Sequence, residues 1–176
     1  MGEHFINILI IHTASFFILT GTAKLFSLKQ FLLYTADFQI LPRPLSYAAG
    51  SLIPILEIGG GFLLLNYGWW NMGAAILLVL LTLFGFSLLK IINSGRKIRC
   101  GCYGKWLAAE ADIFSLGKAI YFFFLLLLVS ASVPSTGIHL SIPAIVTGFL
   151  LTLLVIAAQK MWQLYQQNKQ QLQNKR

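Results

Sequence analysis

Long apolar runs alternate with short polar breaks along this chain. From Phe5 the run FINILIIHTASFFILTGTA reaches Lys24 with His12 as its one ionisable residue. About 20 apolar residues in a helix cross a bilayer, so a first span is predicted over 5–25. It is too long for a signal-peptide core and no positive segment precedes it, so it is expected to stay uncleaved. Over 27–46 the two residue classes mix, and Phe31, Leu32, Tyr34, Phe38 and Leu41 fall on one helical stripe ahead of Pro42-Arg43-Pro44. That is the pattern of an interfacial helix lying along the membrane, followed by a turn.

A second span is predicted over 47–66, carrying Pro54, Glu57 and the triplet Gly59-Gly60-Gly61. Proline is tolerated in lipid where neighbouring helices satisfy the freed backbone, and glycines let helices approach closely. Tyr67, Trp69 and Trp70 mark a turn at headgroup depth, and a third span follows over 72–92. The polar stretch from Arg96 to Asp112 holds both cysteines of the chain. Residues 113–161 are apolar again, far too many for one crossing, and Pro134-Ser135-Thr136-Gly137 with Pro143 divides them into spans at 114–133 and 142–161. The expected fold is an all-α integral membrane protein of about five transmembrane helices, with a four-helix core and one interfacial helix between the first two. Its transmembrane domain covers 1–162, and 163–176 form a polar tail that extends the last helix and frays.

Composition supports that architecture and excludes a water-soluble one. Hydrophobic residues make up 57% of the chain and charged residues only 10%, against about 25% charged in an average globular protein. The 13 Lys plus Arg against 5 Asp plus Glu give a net charge of +8. In a membrane protein such an excess marks cytoplasmic loops, and no nucleic-acid partner is expected. With five spans all 13 basic residues share one face, and the loops 66–71 and 134–141 on the other face have none. The positive-inside rule then places the protein in the cytoplasmic membrane with the N-terminus outside and the C-terminus in the cytoplasm.

Two groups of residues could carry chemistry. Glu57 falls about ten residues into the second span, where an ionised carboxylate must face the bundle and find a partner. On 1.5 Å per residue His12 lies about 6 Å from it in depth and Lys24 about 12 Å, so His12 is the expected partner while Lys24 reaches partway or snorkels to the headgroups. Such a group is either a polar clasp that fixes helix packing or a proton-relay or quinone-contacting site.

The second group is Cys100-Gly101-Cys102. Four zinc ligands are lacking, since His4, His12 and His139 lie in other segments or on the other face, so no metal site is expected. A redox dithiol fits better. Gly101 permits the turn that joins two sulfurs across one residue, and Lys97, Arg99 and Lys105 favour the thiolate. The alternative is a pair of unreactive loop cysteines. No hydrolase triad assembles, because His4 and His139 face away from Asp37, Glu110 and Asp112.

Taken together, GTAKLF at Gly21–Phe26, FQILPRPLSYAAGSLIPILEIGGGFLLL with Pro54-x-x-Glu57-x-Gly59, and SGRKIRCGCYG after the third span resemble the MauE family. These are methylamine utilisation membrane proteins allied to the DoxX-like membrane proteins, and the resemblance spans roughly 5–130. It implies a role in maturation: MauE proteins are associated with disulfide formation in the small subunit of methylamine dehydrogenase, beside a thioredoxin-like partner, MauD. By position Cys100 and Cys102 match the family's cysteine pair, Gly101 and Gly104 its glycines, Lys24 the basic residue after the first helix and Glu57 the helix-two acid. Arg99 stands where Asp is expected, and Tyr103 where Phe is usual; the first makes the pair more electropositive.

The resemblance implies a thiol-disulfide redox accessory acting on a client protein, with no bound cofactor expected and a quinone left open as electron acceptor. Against it stand a non-catalytic assembly subunit with a basic docking face and a transporter-like small-molecule binder centred on Glu57. The charge rule puts the cysteines at the cytoplasmic face, whereas a protein that oxidises exported clients presents its thiols outside. A loop that dips into the bundle, a relay across the membrane and an inverted topology each reconcile the two.

Overall fold

The structure is a computed structural model that describes residues 2–40, 42–95, 98, 111–132 and 141–174. Six helices follow in order: α1 (Gly2–Phe26), α2 (Leu28–Asp37), α3 (Arg43–Leu64), α4 (Trp70–Asn93), α5 (Ile113–Ala131) and α6 (Ile142–Asn174). The described residues contain no strand. All but the short α2 are long and apolar enough to cross a membrane.

Helix α1 is the hub: it packs against α3, α5 and α6, while α3 continues to α4 and α4 to α5. The ring α1–α3–α4–α5 is the expected four-helix core, and α6 lies outside it against α1. Burial follows this arrangement. Ile10, His12, Thr13, Ala14 and Phe17 are buried in α1, whereas Leu83 and Phe86 of α4, Phe124 of α5 and Leu154 of α6 are more than 60% exposed. Apolar side chains that face outward to this degree on every outer helix suit lipid rather than water.

Small residues set the closest approaches. A Cβ on Gly73 would stand 2.6 Å from the Leu64 backbone nitrogen and 2.8 Å from the Gly60 carbonyl oxygen. Backbone cannot yield as a side-chain tip can, so α3 and α4 reach this contact only with hydrogen at that position. Gly73→Ala is therefore expected to destabilise the fold by about 1–3 kcal/mol through overpacking, read as a shifted midpoint in detergent-denaturant unfolding. Within the triplet, Gly60 and Gly61 face Leu77 and Ile18, but Gly59 touches nothing within 4 Å. Helix α6 docks through a narrow stripe of Ala144, Gly148 and Thr152, all buried, at the small-xxx-small spacing of close membrane pairs.

One boundary differs from the sequence expectation, and the expected extension of the last helix is present. Helix α3 begins at Arg43, not 47, because Pro44 sits in its first turn, where the missing N–H is no loss. Helix α6 runs 33 residues to Asn174, about 50 Å at 1.5 Å per residue. It projects beyond any bilayer core of about 30 Å, since Gln, Lys and Leu continue a helix after hydropathy falls. Helix α2 packs on α3 and α1 with Phe31 and Tyr34 of the predicted stripe buried.

Candidate functional site: the polar interior at the basic end

Consecutive spans alternate in direction, so the end of α1, the start of α3, the end of α4 and the start of α5 meet at one end of the bundle. Lys24, Lys29, Arg43, Lys90 and Lys118 belong to this half, and α6 brings Lys160 and Lys169 to it.

The Glu57 carboxylate pairs with the Lys24 ammonium, and both side chains are about nine-tenths buried. His12, the partner expected by depth, is not there. The reason lies in the register of α1 on α3. A Cβ on Gly21 would lie 2.9 Å from the Pro54 carbonyl oxygen and 3.2 Å from the Glu57 Cβ, so Glu57 stands level with Gly21. Lys24 is one turn further on, about 4.5 Å in rise. The first turns of α3 run beside α2, where Gly50 faces Leu32 and Thr35, so counting residues from the start of α3 does not give the level of Glu57 on α1. The buried Phe31 ring of α2 lies beside the pair, with Lys24 Nζ 5.4 Å from its centroid, a cation–π contact. Among the described residues Glu57 Oε2 has no hydrogen-bond partner.

A second buried cation stands opposite. Lys118 of α5 donates to Gln159 Oε1 of α6 and lies 5.8 Å from the Phe16 ring centroid. Gln159 Nε2 donates in turn to Ser115 Oγ at 3.4 Å. One turn toward the surface, Asp112 accepts from the Ser115 backbone N–H at 2.9 Å, capping α5, and from Trp162 Nε1 at 2.6 Å. In the sequence Lys118 stands out only as a topology charge, and Ser115, Gln159 and Trp162 do not stand out at all. The signal was present: Ser115 and Lys118 are three apart on α5, and Thr152 and Gln159 seven apart on α6, each pair on one helical face of an apolar segment.

His12 sits deeper. Its Nδ1 meets Thr152 Oγ1 at 2.9 Å and its Nε2 meets the Tyr121 hydroxyl at 3.3 Å. The structure thus divides the three predicted intramembrane residues into a Lys24–Glu57 pair and a separate His12 cluster.

Cys100, Cys102, Gly101, Gly104 and Arg99 lie outside the described residues. The Ala111 N–H donates to the Ile98 carbonyl at 2.8 Å, and the next residue, Asp112, is held by Ser115 and Trp162. Ile98 and Ala111 are the described residues on either side of that stretch.

The family profile described as methylamine utilisation protein MauE matches residues 2–137. The chain belongs to the MauE family. The match takes in α1 to α5 and the cysteine segment, so this MauE protein is a multi-pass membrane protein, while α6 and its Thr152, Gln159 and Trp162 lie beyond the match. No curated protein and no solved structure matches it at a significant level.

Proposed function

We propose that this MauE protein is a membrane redox accessory in which Cys100 and Cys102 cycle between dithiol and disulfide while a client protein gains its disulfides. The observation that supports the reading is the hydrogen bond from the Ala111 N–H to the Ile98 carbonyl, which brings together the two described residues that flank Cys100-Gly101-Cys102 in sequence. Cationic surroundings favour the thiolate, the reactive form in exchange. In the forward step a thiolate of the client, or of a thioredoxin-like partner, attacks the Cys100–Cys102 disulfide and displaces one sulfur as thiolate. The resulting mixed disulfide is resolved by the second client thiol. The client is then oxidised, and the accessory pair is reduced by two electrons and takes up two protons.

We place the basic end in the cytoplasm by the charge rule, so that the pair exchanges there with its partner. In the MauE setting the client is a methylamine-utilisation protein and the partner resembles MauD.

A single Cys102→Ser or Cys100→Ser variant tests the exchange. The exchange is reversible, so the remaining thiolate attacks the disulfide of the oxidised client or partner. With the second cysteine gone it cannot release the mixed disulfide, and one of the two variants is expected to accumulate a reductant-sensitive covalent adduct, seen as a band shift on a non-reducing gel. Absence of an adduct from both variants, with both proteins well expressed, contradicts the exchange mechanism.

A further inference from the structure

The mid-depth cluster around His12 has no part in the thiol chemistry, and its hydrogen bonds fix which atom carries which proton. Thr152 has one hydroxyl hydrogen, and its oxygen lies 3.0 Å from the His12 carbonyl and 3.1 Å from the Gly148 carbonyl. Carbonyls only accept, so that hydrogen is committed to them. Thr152 Oγ1 therefore accepts from His12 Nδ1–H at 2.9 Å. The imidazole then presents a bare lone pair at Nε2, and the Tyr121 hydroxyl 3.3 Å away donates to it.

What remains is the Tyr121 oxygen. His12 and Thr152 are fully buried, yet Tyr121 is 45% exposed. It lies nine residues beyond Asp112, about 13 Å along α5, so its exposed side meets hydrocarbon rather than headgroups or water. Long side chains bridge α5 and α6, among them Lys118 with Gln159 and Phe114 with Trp162. A ligand that arrives through the membrane therefore meets the half-exposed Tyr121 at the lipid edge of this seam.

We infer that Tyr121, backed by His12 and Thr152, binds the headgroup of a lipid-soluble quinone. Acyl chains offer no polar atom, and phospholipid headgroups and sterol hydroxyls sit at the interface, so neither answers a phenol at this depth. A quinone ring dissolves in hydrocarbon and carries the missing polar group in both redox forms. Quinol O–H donates to the Tyr121 oxygen while the phenol hydrogen stays on His12 Nε2. With the hydrogen turned outward, the same phenol donates to a quinone carbonyl.

Use of the ligand as electron acceptor rests on the function proposed above. There, Cys100 and Cys102 as thiols lose two electrons and two protons to form their disulfide, and the quinone gains both to become quinol. Binding itself does not depend on the cysteines.

The test uses the full chain in lipid nanodiscs with an azido-benzoquinone bearing a decyl tail, irradiated and mapped by peptide mass spectrometry. Label is expected on the α5 and α6 peptides that contain Tyr121 and Thr152, with saturation and competition by unlabelled decylubiquinone. Tyr121→Phe, which loses one hydrogen bond of about 1 kcal/mol, is expected to weaken competition by about fivefold. Tyr47→Phe, at a tyrosine far from the seam, is expected to change nothing. The Cys100→Ser/Cys102→Ser protein is expected to label as wild type, so failure of the cysteine reading and failure of the quinone site are separable. Non-saturable label spread over all lipid-facing helices, or competition indifferent to Tyr121→Phe, overturns the site.

Discussion

Lys24→Met is expected to destabilise the protein by about 3–5 kcal/mol, the range for a buried charge stripped of its partner. Glu57 is left in a site with nine-tenths of its side chain covered and no second donor among the described residues. Glu57→Gln is expected to cost less, about 1–2 kcal/mol. The amide oxygen still accepts from Lys24, and the lysine stem can carry its charge toward the headgroups at the end of α1. The double variant Lys24→Met/Glu57→Met is expected to recover most of the loss, because an apolar pair of similar volume removes both desolvation penalties. Unfolding midpoints in a detergent-denaturant series measure all three. Equal losses for both single variants, with no recovery in the double, would show that the pair is not a self-contained clasp.

The second large effect concerns function. Cys100→Ser/Cys102→Ser is expected to abolish the accessory's contribution to client disulfides while leaving the bundle folded. Serine keeps the size of cysteine but cannot form a sulfur–sulfur bond, so no exchange step remains. The client's thiol state, followed by alkylation and gel shift in cells carrying the variant, reads the effect. Conversely, Arg96, Lys97 and Arg99 replaced together should slow exchange by reducing the thiolate fraction without abolishing it. If client disulfides form normally without either cysteine, the protein acts as an assembly subunit and its basic face is the functional element.

Much of this organisation was legible in the residues. Runs such as FINILIIHTASFFILTGTA declare a spanning helix because nothing else satisfies so many apolar side chains at once, and the five crossings stand where these runs do. Helix ends were less legible. Pro42-Arg43-Pro44 reads as a breaker by composition, yet a proline within the first turn begins a helix as readily as it ends one. The polar residues after 161 lose the hydropathy signal without losing helix propensity.

The site was legible in its parts and not in its pairing. Glu57 announced itself as a carboxylate in an apolar run, but its partner depends on how far α3 slides along α1. That register is set by the contact of Gly21 with the Pro54 carbonyl and Glu57, a three-dimensional fact that residue counting from a helix start does not contain. The links from Lys118 to Gln159 and from His12 to Thr152 likewise depend on α6 docking against α1, and that from His12 to Tyr121 on α5 meeting α1. No local pattern states that docking, although Ala144, Gly148 and Thr152 supply the face for it.

The central claim is that Cys100 and Cys102 form a working redox pair at the basic end of the bundle. Its most direct measurement is modification by a membrane-impermeant maleimide, in intact and permeabilised cells, with and without prior reduction, read by gel shift. Both cysteines are expected to become fully reactive only after reduction and only after permeabilisation, marking a cytoplasmic pair that is oxidised for part of its cycle. Full reaction of both without any reductant, unchanged when the client is overproduced, contradicts it.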